Sequence, residues 1–400
     1  MPTLLQINTT CNIGSHGRLA EKIGIAAMAD GYRSVIAFGR GKPCSVSETI
    51  RTSSVTDMYL HALETRLFDR HGLGSRRSTG SLIRAIEQIA PDIVHLHNIH
   101  GYYLNYPKLF SALSQMDIPV VWTLHDCWPL TGHCAHFSSI GCDKWQTGCY
   151  KCPQLSDYPA SFIADRSCRN FRDKRHAFAL PAKLHIVSVC EWQSALVRSS
   201  HIRNRPATVI RNGIDISLFQ ATGHWRNNPD NKFVVLGVAN IWNQWKGYDD
   251  IVKLRNILPS EYEIRIVGLT PKQASVLPSG IHNLGRISDP VQLAHIYSEA
   301  DVFVCLSYDD TYPTTLLESL SCGTPIVTYN TGGCCEAINR HTGIAVPKGS
   351  VNAAADSIKE ICGTWDRRST KEQCRRYAES HHDINECIKS YLNLYAHILS

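Results

Sequence analysis

Residues Ser307 to Glu336 read S-Y-D-D-T-Y-P-T-T-L-L-E-S-L-S-C-G-T-P-I-V-T-Y-N-T-G-G-C-C-E. The apolar run just before them, Asp301 to Leu306, predicts a buried strand. Tyr312-Pro313 then breaks the backbone and starts a helix, where the missing N–H of proline is no loss. Leu316, Leu317 and Leu320 form one apolar arc of this helix and Glu318 points off it. Strand, break and helix leave the amides of Thr314, Thr315 and Leu316 unpaired at the carboxyl edge of a sheet, where their dipoles favour an anion such as a phosphate. Asp310 lies just before that end and Glu318 leans back toward it, so two carboxylates are expected to flank one anion site. Two acids at this spacing also arise by chance on solvated faces. The ordered set carries the weight: Asp310, Pro313, Glu318, the helix stop Cys322-Gly323-Thr324-Pro325, the strand Ile326 to Tyr329 and the turn Thr331-Gly332-Gly333.

That set resembles the signature of retaining glycosyltransferases of family 4, in which a glutamate, seven residues and a second glutamate precede a small-residue turn and a G-T-P-V-V-like strand. Here the first acid is Asp310, one methylene shorter. The resemblance implies an α/β GT-B fold, two Rossmann-like domains facing across a cleft. It assigns the donor sugar to Asp310 and the nucleotide ribose to Glu318. Glu336 matches a further acidic position, whereas Cys334-Cys335 before it departs from the pattern.

At 400 residues and 43% apolar content the chain has room for two domains. No apolar run reaches 18 residues and Met1 to Thr10 lacks the features of a signal peptide, so a cytoplasmic protein is expected and its 16 cysteines read as thiols. Residues 1–205 hold 23 Lys and Arg against 15 Asp and Glu, and the remainder 18 against 20. The densest basic patches, Arg66 to Arg77 and Arg166 to Arg175, are either solvated helix faces or surfaces that meet an anionic partner, a membrane leaflet or a lipid pyrophosphate.

Along the chain, Leu4 to Asn8 reads as a first strand. The turn Cys11 to Arg18 follows, with Gly14, Ser15, Gly17 and Arg18 in the place that the family turns toward the donor diphosphate or the acceptor. Strands at Ser34 to Phe38, Asp92 to His97 and Pro119 to His125 between helical patterns imply a parallel sheet. His95, His97 and His100 are read as packed or loop residues, with metal binding as the alternative. His125 ends an apolar strand, where open α/β sheets bind ligands, and the resemblance gives it the donor sugar near the reacting carbon. Asn212-Gly213-Ile214-Asp215 matches the family's usual entry into the donor domain, and Gln220 to Asn231 reads as the linker. Lys246, after the strand Phe233 to Ala239, is the expected diphosphate contact. The arginine that usually precedes it is missing, which implies either a substitute, Arg265 or Arg286, or phosphate binding weaker than the family's usual, and Asn283 to Ile287 completes the pattern. Val351 to Cys362 and Lys371 to Ile398 read as helices.

Residues 127–160 form a cysteine-rich insertion in which Cys134, Cys142, Cys149 and Cys152 could close a structural zinc site, with His133 or His136 able to replace a sulfur; buried free thiols are the other reading. The expected architecture is an acceptor domain at 1–205 carrying this insertion, a donor domain at 206–379 and a C-terminal helix at 380–400 packing back on the first domain. The resemblance implies transfer of a sugar from a nucleotide diphosphate sugar to a hydroxyl of a glycan or lipid-linked oligosaccharide, with no cofactor required for catalysis, peripheral contact with the inner membrane surface and no nucleic acid partner. A GT-B epimerase or phosphorylase is the second reading, and a zinc-containing nucleic-acid binder a distant third.

Overall fold

The computed structural model describes residues 1–221 and 232–400, so most of the stretch read as a linker lies outside the described residues. The chain divides into two compact units, Met1–Ile210 with Ile388–Ser400, and Arg211–Cys387.

The first unit holds seven parallel strands: β1 (Thr3–Thr10), β2 (Arg33–Arg40), β3 (Glu48–Arg51), β4 (Ile93–Leu96), β5 (Val120–Leu124), β6 (Leu184–Ser188) and β7 (Ala207–Val209), in the order β3-β2-β1-β4-β5-β6-β7. The second holds six: β8 (Phe233–Val238), β9 (Tyr262–Val267), β10 (Ile281–Asn283), β11 (Val302–Cys305), β12 (Ile326–Tyr329) and β13 (Gly343–Val346), in the order β10-β9-β8-β11-β12-β13. Their central strands are apolar almost throughout, as sheets covered by helices on both faces require. Leu5 registers with Val35 and Val94, and Val94 with Val120. Trp122, Phe110 and Phe178 fill one side of the first sheet with ring centroids 4.7–5.4 Å apart. Each such buried ring contributes about 1.5–3 kcal/mol.

In both sheets the strand order reverses between neighbours, β1 against β4 and β8 against β11. Loops leaving opposite faces part there and open a crevice at the carboxyl ends, the usual ligand position of such folds.

The structure departs from or adds to the sequence reading at three places. Lys371 to Ile398 is two helices, Arg367–His381 and Ile384–Leu399. The break forms because Ile214 donates to the His382 carbonyl at 2.7 Å and accepts from the Ile384 amide at 3.0 Å, which pins Asp383 in an extended bridge. Of the segment Asn283 to Ile287, only the first residue is in a strand, at the end of β10. Strands β3 and β13 were not anticipated: β3 is a four-residue edge strand, E-T-I-R, with little apolar signal.

Candidate functional site

In the second unit, Lys246 follows β8 and Asp310 follows β11, the two strands on either side of the reversal. Lys246 Nζ meets Asp310 Oδ2 at 2.5 Å. Two glycines bring these loops so close. Gly247, at φ +72°, lies so near the Leu306 carbonyl that a β-carbon would stand 2.1 Å from its oxygen, and Gly332, at φ +54°, approaches the Asp310 carbonyl as tightly, at 1.7 Å. The backbone locks the arrangement: Tyr308 N–H donates to the Trp245 carbonyl at 2.8 Å, and Gly333 N–H to that of Thr311 at 2.8 Å. Burial pulls the Lys246 pKa down, but the adjacent Asp310 carboxylate outweighs it, so the pKa is raised and the ammonium stays charged. The thiols of Cys305 and Cys334 lie buried beside the pair.

The helix is Thr314–Ser321, with Pro313 as N-cap rather than first helical residue, and no side chain caps it. Leu316 is not available as an anion donor, because its amide bonds to the Pro313 carbonyl at 3.2 Å. Glu318 does not point off a buried face. The helix is buried from Leu316 to Ser321, since the helix Arg367–His381 covers the side turned away from the sheet and Arg375 reaches the Ser321 carbonyl at 2.9 Å. Within that interior Glu318 Oε2 accepts from the Tyr297 hydroxyl at 2.9 Å. Glu336, in the short turn Cys334–Ala337, accepts from Arg211 at 3.4 Å. Arg265 is committed to Glu263 and Glu299. Arg286 is exposed and reaches the Asn240 carbonyl, near the start of the loop that carries Lys246, at 3.4 Å.

In the first unit, His125 stands at the end of β5, and its Nε2 lies 3.1 Å from Nδ1 of His97. His97 Nε2 lies 3.1 Å from Gln6 Oε1, and Gln6 Nε2 donates to the Ala20 carbonyl at 2.7 Å. His16 packs 5.8 Å from His125, centroid to centroid, and its Nδ1 lies 2.9 Å from Asn8 Oδ1. Burial holds His97 and His125 well below the usual imidazole pKa of 6.5 and lowers His16 to about 4. The neighbouring Asp126 is ionised: burial alone would raise its pKa, but His100, at 2.8 Å, and the Trp128 amide hold it low. Gly14, Ser15 and Arg18 lie on the opening turns of the helix Gly14–Ala29 and are exposed, whereas Gly17 is buried and leaves room for Thr10 Oγ1, a packing role. His16 and His97 were not singled out as site residues; the signals pointing to this edge were His125 at the end of an apolar strand and the glycine turn around Gly14.

The four thiols read either as a structural zinc set or as buried free thiols are free cysteines here. Cys134, Cys142, Cys149 and Cys152 do line a common apolar cavity with Phe137 and Trp145. However, Cys134 and Cys152 hydrogen-bond to each other, Cys149 Sγ accepts from the Gly132 amide at 3.1 Å, and His133 is engaged through Nδ1 with Asp69 at 2.6 Å. No group of three or more His, Cys, Asp or Glu among the described residues is arranged to hold a metal. The loop is held instead by packing of Phe137 on Trp145, 5.1 Å apart, and by the buried Asp69–His133 pair.

Residues 26–218 match the family model Glycosyltransferase Family 4, and residues 222–381 the model Glycosyl transferases group 1. The putative colanic acid biosynthesis glycosyl transferase WcaC of Escherichia coli is 24% identical over 99% of this chain and 100% of that protein. The N,N'-diacetylbacillosaminyl-diphospho-undecaprenol alpha-1,3-N-acetylgalactosaminyltransferase of Campylobacter jejuni is 29% identical over 44% of this chain and 48% of its own. Among solved structures, sucrose-phosphate synthase from Thermosynechococcus elongatus superposes with TM-score 0.74 at 17% identity, covering 100% of this chain and 99% of that one. Anabaena HepE in complex with UDP-glucose superposes with TM-score 0.65 at 16% identity, covering 98% and 99%. With a glycosyltransferase family model matched to each Rossmann-like unit in order along the chain, the protein is a glycosyltransferase of the GT-B fold.

Proposed function

We propose that the protein moves a sugar from a nucleotide diphosphate sugar to a hydroxyl of a lipid-linked saccharide, with retention of the anomeric configuration. The observation that carries this reading is the Lys246–Asp310 pair at the reversal of the second sheet, immediately before the uncapped end of the helix Thr314–Ser321. A charged ammonium and the helix dipole together stabilise a departing diphosphate without a metal. In this mechanism the bond from the anomeric carbon to the phosphate oxygen breaks and the acceptor oxygen bonds the same face. The acceptor proton passes to the departing phosphate. Neither Asp310, held by Lys246, nor Glu318, held by Tyr297, is left as a free base, which favours a proton route through the leaving group. Asp310 fixes the sugar and Glu318 the ribose, while Thr314 and Thr315 supply amides to the phosphates. His125 takes a sugar hydroxyl, and Gly14, Ser15 and Arg18 line the same edge of the first unit.

A lipid-linked acceptor is supported by the helix Val55–Phe68, whose Tyr59, Leu60, Leu63 and Phe68 are exposed beside Arg66. Phe162 and Ile163 extend this apolar surface, since the Phe162 amide donates to the Arg66 carbonyl at 2.8 Å. Apolar side chains among arginines suit the interface of an anionic bilayer. The HepE complex with UDP-glucose and the undecaprenol diphosphate named for the Campylobacter relative favour the same pair of substrates. The test is a thermal-shift screen of nucleotide sugars, followed by NMR of the product formed on a polyprenyl diphosphate saccharide. A donor that raises the midpoint and a product with unchanged anomeric configuration are expected. An inverted product, or sugar phosphate released without acceptor, overturns the reading.

A further inference from the structure

Two hydrogen-bond chains in the first unit have a fixed direction, and both end at the carboxyl edge of the sheet. The longer starts at the Ala20 carbonyl, which can only accept, so the Gln6 amide must present its nitrogen there and its oxygen to His97. An amide oxygen also only accepts, so Nε2 of His97 carries the proton. Burial keeps His97 neutral, which leaves its Nδ1 as an acceptor and makes Nε2 of His125, 3.1 Å away, the donor. A neutral imidazole has one N–H, so Nδ1 of His125 is the nitrogen with the free lone pair. The second chain starts at Asn8, whose Nδ2 donates to the Thr10 carbonyl at 3.1 Å and whose Oδ1 accepts from the Thr9 amide at 2.9 Å. That oxygen therefore takes the Nδ1 proton of His16 at 2.9 Å and leaves His16 Nε2 unprotonated.

We infer that His97 is a positioning residue that fixes the tautomer of His125, so that this edge offers its ligand hydrogen-bond acceptors and selects a sugar bearing a free hydroxyl. The inference rests on the assignment of His125 to the transferred sugar made above. It adds a direction of hydrogen bonding: the sugar hydroxyl donates to His125. A donor lacking that hydroxyl has nothing to give, and an anion meets lone pairs backed by the Asp126 carboxylate. The ionisable groups facing His125 are His97, His16, His100 and Asp126.

The experiment is long-range 1H–15N correlation on the full chain with 15N-labelled histidine, His125 being assigned by its loss in His125→Gln. The expected spectrum has His125 protonated on Nε2 and unprotonated on Nδ1. In Gln6→Glu the new carboxylate stabilises the His97 imidazolium, whose Nδ1 becomes a donor and forces the proton of His125 onto Nδ1. The expected result is an inverted tautomer, kcat/KM lower by roughly tenfold, the worth of one hydrogen bond, and recovery toward alkaline pH as His97 loses its proton. Wild-type protein with the proton on Nδ1 of His125 overturns the inference even if no variant folds, and so does an inverted tautomer with unchanged kcat/KM. A wild-type spectrum as expected together with full turnover by His125→Gln leaves the tautomer standing and removes the sugar assignment instead.

Discussion

The two sheets offer opposite chemistry at the same topological place. At the reversal of the second, a charged lysine and a carboxylate meet at 2.5 Å. At that of the first, buried imidazoles stay neutral and pass hydrogen bonds in one direction. One edge suits a phosphate and the other uncharged hydroxyls. The same fold unit, used twice, has been specialised by the residues that follow its strands.

The change that tests this contrast hardest is Lys246→Met, which takes the cation from the charged edge. Loss of a group that meets developing charge costs about 10²–10³ in rate, so kcat/KM for the nucleotide sugar should fall by that factor while the circular dichroism spectrum is unchanged. Glu318→Gln keeps the volume and the bond to Tyr297 but removes the charge. A fall of about 10–100-fold in donor affinity, read by calorimetry, is expected for a charged hydrogen bond to ribose. Arg286→Ala should raise the donor KM by roughly three- to tenfold, the worth of one partly screened charge, whereas Arg265→Ala, whose partners are Glu263 and Glu299, should leave it unchanged.

The neutral edge makes a prediction about pH. His16 has a folded pKa of about 4 against 6.5 when exposed, so below pH 6.5 the unfolded chain binds the proton that the folded chain refuses. Its share of stability is complete above pH 6.5 and declines by about 1.4 kcal/mol per pH unit between 6.5 and 4. Thermal midpoints should fall across that window, and less so in His16→Gln; a flat profile would mean that the imidazoles are not held neutral. The smallest effect belongs to Tyr395→Phe, which deletes the hydroxyl 2.6 Å from His95 Nδ1 and should cost about 1 kcal/mol in urea unfolding.

Much of this was readable in the chain, for uneven reasons. The strand before Asp310 and the strand Ile326–Tyr329 announce themselves, because parallel strands covered on both faces are near-continuous apolar runs. Asp310 and Lys246 were each singled out in the sequence but not as partners, since 64 residues separate them and only the strand order joins them. The burial of Glu318 was hidden because a helical wheel registers one apolar face, and the second cover comes from Arg367–His381, far along the chain. The cysteine cluster stayed open for the opposite reason: local spacing allows a metal or free thiols alike, and the pairing of thiol with thiol and of His133 with distant Asp69 depends on the fold. His97 was visible as a buried histidine, but its direction depends on Gln6 and Ala20, which no periodicity connects.

The helix Ile384–Leu399 has a consequence for synthesis. Its Tyr391 and Tyr395 bond Thr123 and His95 inside the unit that leaves the ribosome first. That unit stays unfinished throughout translation of the second, and His95 and Thr123, beneath the histidine edge, wait for partners made nearly 300 residues later. The order of manufacture and the order of completion are thus reversed, and a ribosome stalled before Tyr391 would carry a sheet whose buried hydroxyl and imidazole are still open to water.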